Sequence, residues 1–347
     1  MKGRARQHAT VETASLHLAS HHSRGARLIV GGPEPEVPLR PRIALIAGLF
    51  STCIIAPAFG QAHEKPASTA GRGHLFIVGG GEQSAELVTR FVALAGGRGH
   101  ARIAVVPMAS EDAAGTGKEK ADELEELGAD VFVLNLNRAE AEGDSAAKLL
   151  GSATGIWFTG GDQIRLTRIL LDTPVLRAMH LRYERGAVVG GTSAGAAIMP
   201  DSMLTGNQQP PGDSSGYYGD EYPLLARGVI EIVRGLGFLH GAIVDQHFIK
   251  RERHNRLLSV VLERPTLLGV GIDEGTALDV APDGRWHVLG ASAAIVYDAR
   301  AGSVTPASAS ILGATGVRLN LLPAGSTFDP RTGRGALPSR RVPTGAP

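Results

Sequence analysis

The sequence predicts an α/β protein built on a mainly parallel sheet covered on both faces. From His74 onward, short β-branched runs alternate with helical patterns, and three of the predicted strands end in glycine-rich turns. Strand, helix, strand in repetition is the signature of a parallel sheet with crossover helices. Reactive groups in such sheets gather at the carboxyl ends of the strands. The three glycine turns, Gly79-Gly80-Gly81, Gly160-Gly161-Asp162 and Gly190 to Gly195, therefore mark one end of the sheet as the place to look for chemistry.

In order, His74–Val78 reads as a strand, Ser84–Ala95 as an amphipathic helix, Arg102–Val106 as a strand and Lys118–Leu127 as a charged helix. Val131–Leu134 and Ile156–Thr159 are the third and fourth strands, Gln163–Leu171 and Val175–Arg185 are helical, and Ala187–Gly190 is the fifth strand. Residues 201–235, rich in Gly, Pro, Ser and Tyr, break the alternation and read as a loop insertion, a lid or a substrate rim. Ala242–Val244 resumes as a strand, Glu252–Glu263 as a helix and Leu268–Ile272 as another strand; short strands follow from Thr276 to about Leu322. The organisation expected is a linker at 63–73, one catalytic domain at 74–325 and a disordered Pro/Gly/Arg-rich tail at 326–347.

The chain has 347 residues, and its N-terminal part stands apart. Ile43 to Ala58 is an uncharged apolar run behind Arg40 and Arg42, with a small-residue exit at Ala58-Phe59-Gly60-Gln61-Ala62. It is shorter than the about 20 residues a spanning helix needs. It reads as a secretory signal within a leader at 1–62, cleaved near residues 60–63, giving a secreted or periplasmic protein with no membrane segment in its mature form. The stretch before it is too long for an ordinary signal and suggests a start nearer Val37. Without the leader the chain loses Cys53, its only cysteine, and so can hold neither a disulfide nor a thiol nucleophile. Its formal charge moves from +1 to −3, which gives no reason to expect nucleic acid as a partner.

Gly191-Thr192-Ser193-Ala194-Gly195 is a G-x-S-x-G between a strand and a helix, the context of a nucleophile elbow. The flanking glycines leave room for a strained backbone and an exposed hydroxyl, and the N–H of Ala194 at the helix start can help hold an oxyanion. A glycine-rich turn with a capping serine is the bland alternative. A serine nucleophile needs a base, and His247 is the only histidine of the mature chain that directly follows a predicted strand, in Ala242-Ile243-Val244-Asp245-Gln246-His247. The base needs an acid to orient it. Asp273 and Glu274, at the end of the next strand, both qualify, and spacing does not choose between them. The chain order Ser, His, acid excludes a standard α/β-hydrolase, although a triad is defined by geometry and not by order.

Gly160-Gly161-Asp162-Gln163 closes the fourth strand, where a free N–H could be a second oxyanion donor and Gln163 could bind a substrate amide or carboxylate; a helix entry capped by Asp162 is equally natural. Arg251, Arg253 and Arg256 follow His247 and read either as a surface charge run or as guanidinium forks for substrate carboxylates. Gly79-Gly80-Gly81-Glu82-Gln83-Ser84 lacks the last glycine of the dinucleotide fingerprint, so no nicotinamide cofactor is expected. No His/Cys/acid set has recognised metal spacing, so no metal is expected either.

Four segments, FTGGDQIRL (158–166), GGTSAGAAIM (190–199), VDQHFIKRERHNRLL (244–258) and GVGIDEGTAL (269–278), together resemble the cyanophycinases, in the serine peptidase family that also contains peptidase E. The likeness runs loosely from His74 to Leu322, and DQHF followed by arginines is its most specific part. The resemblance implies a class I glutamine-amidotransferase-like sandwich, Ser193 as nucleophile, His247 as base and Glu274, in preference to Asp273, as its partner. It also implies a pocket shaped by Gln163, Asp245, Gln246, Arg251, Arg253 and Arg256. The implied substrate is cyanophycin, a poly-aspartate backbone with arginine on each β-carboxyl, and the implied products are β-Asp-Arg dipeptides. The insertion and the leader suggest the extracellular type. An aspartyl or isoaspartyl dipeptidase and an inactive binding protein on the same scaffold are the competing expectations, with a homodimer left open.

Overall fold

A computed structural model describes residues 71–208 and 224–339. The leader at 1–62, the linker up to residue 70, the middle of the insertion (209–223) and residues 340–347 lie outside the described residues. The first half alternates as expected: β1 (Leu75–Val78), α1 (Ala85–Leu94), β2 (Arg102–Val106), α2 (Ala113–Glu126), β3 (Asp130–Val133), α3 (Arg138–Glu142), α4 (Asp144–Leu149), β4 (Gly155–Phe158), α5 (Gln163–Leu170), α6 (Pro174–Glu184), β5 (Val188–Thr192) and α7 (Ala194–Ala197). Helix starts follow from polar caps that satisfy otherwise orphaned N–H groups. Ser84 accepts from Leu87 N, Asp162 from Ile164 N, and Thr173 from Leu176 N just ahead of Pro174. Asp112 accepts from Gly115 N at 2.9 Å and so starts α2 at Ala113, five residues before the predicted Lys118. Helices α3 and α4 were not predicted. Asn137 and Glu140 close a reciprocal capping box that starts α3.

The second half begins with β6 (Ser202–Gln208) and β7 (Ile230–Arg234), then β8 (Ala242–Gln246), α8 (His254–Glu263), β9 (Leu268–Ile272), β10 (Thr276–Val280), β11 (Trp286–Gly290) and β12 (Ala293–Asp298). It ends with β13 (Ser303–Val304), β14 (Ala314–Thr315), β15 (Arg318–Pro323), β16 (Thr327–Asp329) and β17 (Arg334–Ala336). The large sheet has the order β17-β16-β11-β10-β1-β5-β4-β2-β3. Its half from β1 to β3 is parallel, and the half beyond β10 is antiparallel. Both faces of β1, β2, β4 and β5 are buried, which is why these strands read as continuous apolar runs, while β3 at the edge is only partly covered. Phe76, Val78, Ile103, Val105 and Trp157 pack on α1 and α2, while Leu75, Ile77, Val106 and Phe158 join the main core on the other face.

Three expectations need correction. Strands β8 and β9 pair in parallel with each other but do not extend the sheet that carries β5. They belong to a second sheet, β15-β12-β9-β8. Val244, Val270 and Ile272 face the main core, while Ile243 packs with Leu257, Val260 and Val261 of α8, so this sheet is a layer of its own. The flanks of the insertion are ordered, because β6 and β7 pair as an antiparallel ribbon. The tail from Ser326 supplies β16 and β17 to the large sheet. Phe328, 1% exposed, packs against Trp286 with the rings tilted and their centroids 5.2 Å apart, and that contact offsets the Pro/Gly/Arg-rich composition around it.

Phe328→Ala should therefore lower stability by about 3–5 kcal/mol in denaturant titration. An unchanged unfolding midpoint would mean that residues 327–336 are not part of the folded domain.

Candidate active site

Three segments meet at the end of β1. Its register places Val78 beside Thr192 of β5 and beside Ala277 of β10. Three successive carbonyls at this point each accept a bond from a different segment. Ser193 N donates to Val78 O at 3.1 Å, His247 N to Gly79 O at 2.6 Å and Gly275 N to Gly80 O at 2.9 Å. Ser193 follows β5, His247 follows β8 of the second sheet, and Glu274 follows β9. The turn that lacked the dinucleotide fingerprint is thus the junction that gathers the three.

The side chains then align. Ser193 Oγ lies 2.9 Å from His247 Nε2, and His247 Nδ1 lies 2.6 Å from Glu274 Oε1. Asp273, the competing acid, is otherwise engaged: its Oδ1 accepts from Ile249 N and Lys250 N, and its Oδ2 accepts from Ser292 Oγ. It anchors the turn after His247. A Cβ on Gly80 would come within 2.3 Å of the His247 ring, so only glycine lets the β1 turn pass beneath the imidazole.

Ser193 has φ 55° and ψ −111°, and His247 has φ 50°. Both are non-glycine residues in a region that L side chains rarely adopt, and such strain persists only where surrounding bonds over-determine it. The N–H of Ala194 opens α7 and so has no intrahelical acceptor. Across from it, a Cβ on Gly160 would stand 3.4 Å from Ser193 Cβ, whereas a Cβ on Gly161, the expected donor, would come within 2.2 Å of the Ala109 carbonyl oxygen. The N–H of Gly161 belongs to the peptide that follows Gly160, and this turn walls the nucleophile.

The remaining expected site residues form a buried frame. Arg256 Nε donates to Asp245 Oδ2 at 2.8 Å, and its Nη2 also bonds that carboxylate. Arg253 Nη1 donates to the carbonyl and to Oε1 of Gln246 at 2.9 and 3.0 Å. Arg253 and Arg256 are 4% and 3% exposed, so two of the three guanidinium forks expected to reach for substrate are turned inward. The reason is their place at the start of α8, which packs against the end of β8. Arg251 alone of the three is exposed. Gln163 is buried, and its Nε2 donates to the carbonyls of Leu204 and Thr205 at 2.9 and 2.7 Å, tying α5 to the β6 ribbon.

Burial holds the His247 imidazole below its usual value of 6.5. The hydrogen bond to Glu274 works in the opposite direction, while the positive charges of Arg251 and Arg253 reinforce the depression. The ring is therefore neutral and able to accept a proton at neutral pH. The arrangement can deprotonate a serine hydroxyl and hold the resulting imidazolium against a carboxylate.

The model of the family described as "Peptidase family S51" matches residues 75–285. The chain belongs to peptidase family S51. As a member of that family it is a serine peptidase. A cyanophycinase from Geminocystis herdmanii is 35% identical over 271 residues, covering 75% of this chain and 95% of that protein. One from Synechococcus elongatus is 33% identical over 274 residues, covering 75% of this chain and 80% of its own. One from Trichormus variabilis is 36% identical over 230 residues, covering 65% and 73%. Among solved structures, a peptidase from an acI-B1 Actinobacterium shares the fold at a TM-score of 0.56 and 22% identity, over 75% of this chain and 97% of that one.

Three outcomes follow from this geometry. Ser193→Gly should be more stable than Ser193→Ala by about 1 kcal/mol in thermal unfolding, because glycine relieves the positive φ; equal stabilities would remove the case for strain. The acid limb of the kcat/KM–pH profile should have its midpoint below 6.5. Arg251→Gln, by deleting a charge that disfavours the imidazolium, should move that limb to higher pH; an unmoved limb would mean that His247 is not the titrating base.

Proposed function

We propose that this S51 peptidase hydrolyses cyanophycin, releasing β-Asp-Arg dipeptides through an acyl-enzyme on Ser193. The observation that carries the chemistry is the continuous relay from Ser193 Oγ through His247 to Glu274, with contacts of 2.9 and 2.6 Å. Ser193 Oγ attacks the scissile carbonyl and passes its proton to His247 Nε2. Glu274 stabilises the imidazolium, and N–H groups of Ala194 and of the Gly160-Gly161 turn receive the oxyanion. His247 then protonates the leaving amine and activates the water that frees the acyl group.

The substrate reading rests on the named relatives, three of which are cyanophycinases at 33–36% identity. The buried Asp245–Arg256 and Gln246–Arg253 pairs would support the pocket floor, with Arg251 and Gln163 at its edges. The basic-flanked apolar run at 43–58 adds the proposal that the enzyme acts outside the cytoplasm on polymer released by other cells.

The purified protein should clear a suspension of insoluble cyanophycin and yield dipeptides of a single mass. Ser193→Ala should lower that rate by at least about 10³-fold. Intact polymer alongside cleavage of α- or isoaspartyl dipeptides would contradict the polymer reading and make the protein a dipeptidase.

A further inference from the structure

A concave site of about 430 Å³ opens beside the nucleophile, between the β1 turn and α2. Gly81, Gly160 and Thr192 form its inner edge, so it is continuous with the relay: Thr192 precedes Ser193, and Gly160 packs on it. Its outer wall comes from one face of α2, where Thr116, Glu119, Lys120 and Glu123 recur at helical spacing, together with Glu82 from the β1 turn.

The charges on this wall are unequal. Lys120 is the only cation among the lining residues, and it is already held. Its Nζ donates to Gln83 Oε1 at 3.0 Å, bonds Glu123 and lies 5.1 Å from the centre of the Trp157 ring. That leaves Glu82 and Glu119, which make no ion pair or hydrogen bond among the described residues. Trp157, 1% exposed and part of the same wall, has a buried Nε1 with no acceptor. The site therefore offers, on the same lining as Gly160 and Thr192, two exposed carboxylates and a buried donor that have no partner among the described residues.

We propose that this cleft receives the arginyl group of the substrate, with the guanidinium against Glu82 and Glu119; the proposal rests on the cyanophycin reading above. A guanidinium presents several donors in a planar fork and is more weakly hydrated than an ammonium, so it suits a pair of exposed carboxylates. An arginyl group joined through its α-amine also keeps a carboxyl group, an acceptor of the kind that Trp157 Nε1 lacks among the described residues. Glu82 and Glu119 are thereby specificity-determining residues that discriminate by the charge of the side chain, and take no part in the proton transfers.

The test compares two soluble β-aspartyl peptides that differ only in carrying arginine or its neutral isostere citrulline. The wild type should favour arginine, and Glu82→Gln/Glu119→Gln should reduce that preference by roughly five- to tenfold, through KM with kcat held. In parallel, the full chain carrying Ser193→Ala is titrated with Nα-acetyl-arginine amide, and binding should weaken by a similar factor when both glutamates are replaced. A preference that survives the double substitution would overturn the cleft while leaving cyanophycin hydrolysis intact. A protein that cleaves neither peptide yet binds the arginine amide through the two glutamates would overturn the substrate reading and keep the cleft. Absence of glutamate-dependent binding in both measurements would overturn the inference.

Discussion

The catalytic geometry depends on the turn at the end of β1. Its three carbonyls, at Val78, Gly79 and Gly80, hold the backbones at Ser193, His247 and Gly275, and these residues come from the ends of strands in two different sheets. No single sheet could bring them together, because the side chains at the ends of β5 and β8 belong to separate layers. The β1 turn spans that gap with backbone bonds. Such bonds position a nucleophile and its base more tightly than flexible side chains would. They also explain how two non-glycine residues are kept at positive φ, since the strain at Ser193 and His247 is countered by fixed contacts on either side.

Electrostatics completes what the backbone begins. The imidazole lies in a buried position that favours its neutral form, and the hydrogen bond to Glu274 favours the charged form. The two influences on the imidazole oppose each other: burial favours a ring that can accept a proton, and Glu274 favours the ring that has accepted one. Asp273, one residue earlier, serves the turn that presents His247. Adjacent carboxylates thus divide into one that holds the turn and one that holds the imidazole.

Much of this was legible in the sequence. The strand–helix alternation gave the parallel half of the sheet, and G-x-S-x-G between a strand and a helix singled out Ser193. The choice between Asp273 and Glu274 was not legible from spacing, because both end the same strand and only side-chain direction separates them. The second sheet was hidden for a related reason: β8 and β9 have the apolar runs of any buried strand, and nothing local says which sheet they join. The strands beyond Ser326 were missed because Phe328 is a lone apolar anchor in a polar, proline-containing segment. The inward turn of Arg253 and Arg256 was missed because their partners, Asp245 and Gln246, lie across an element boundary. Gly79-Gly80-Gly81 had been weighed as a cofactor loop, when its glycines are needed against the backbone at Ile272 and Asp273, the His247 imidazole and the Glu274 side chain in turn.

The central claim is that convergence on the β1 turn makes Ser193, among all the serines of the chain, the nucleophile. Labelling with a serine-directed fluorophosphonate, followed by peptide mass spectrometry, tests it most directly. A single adduct on the peptide containing Ser193, lost in His247→Ala, is the result expected. An adduct on another residue, or undiminished labelling in His247→Ala, would contradict the account.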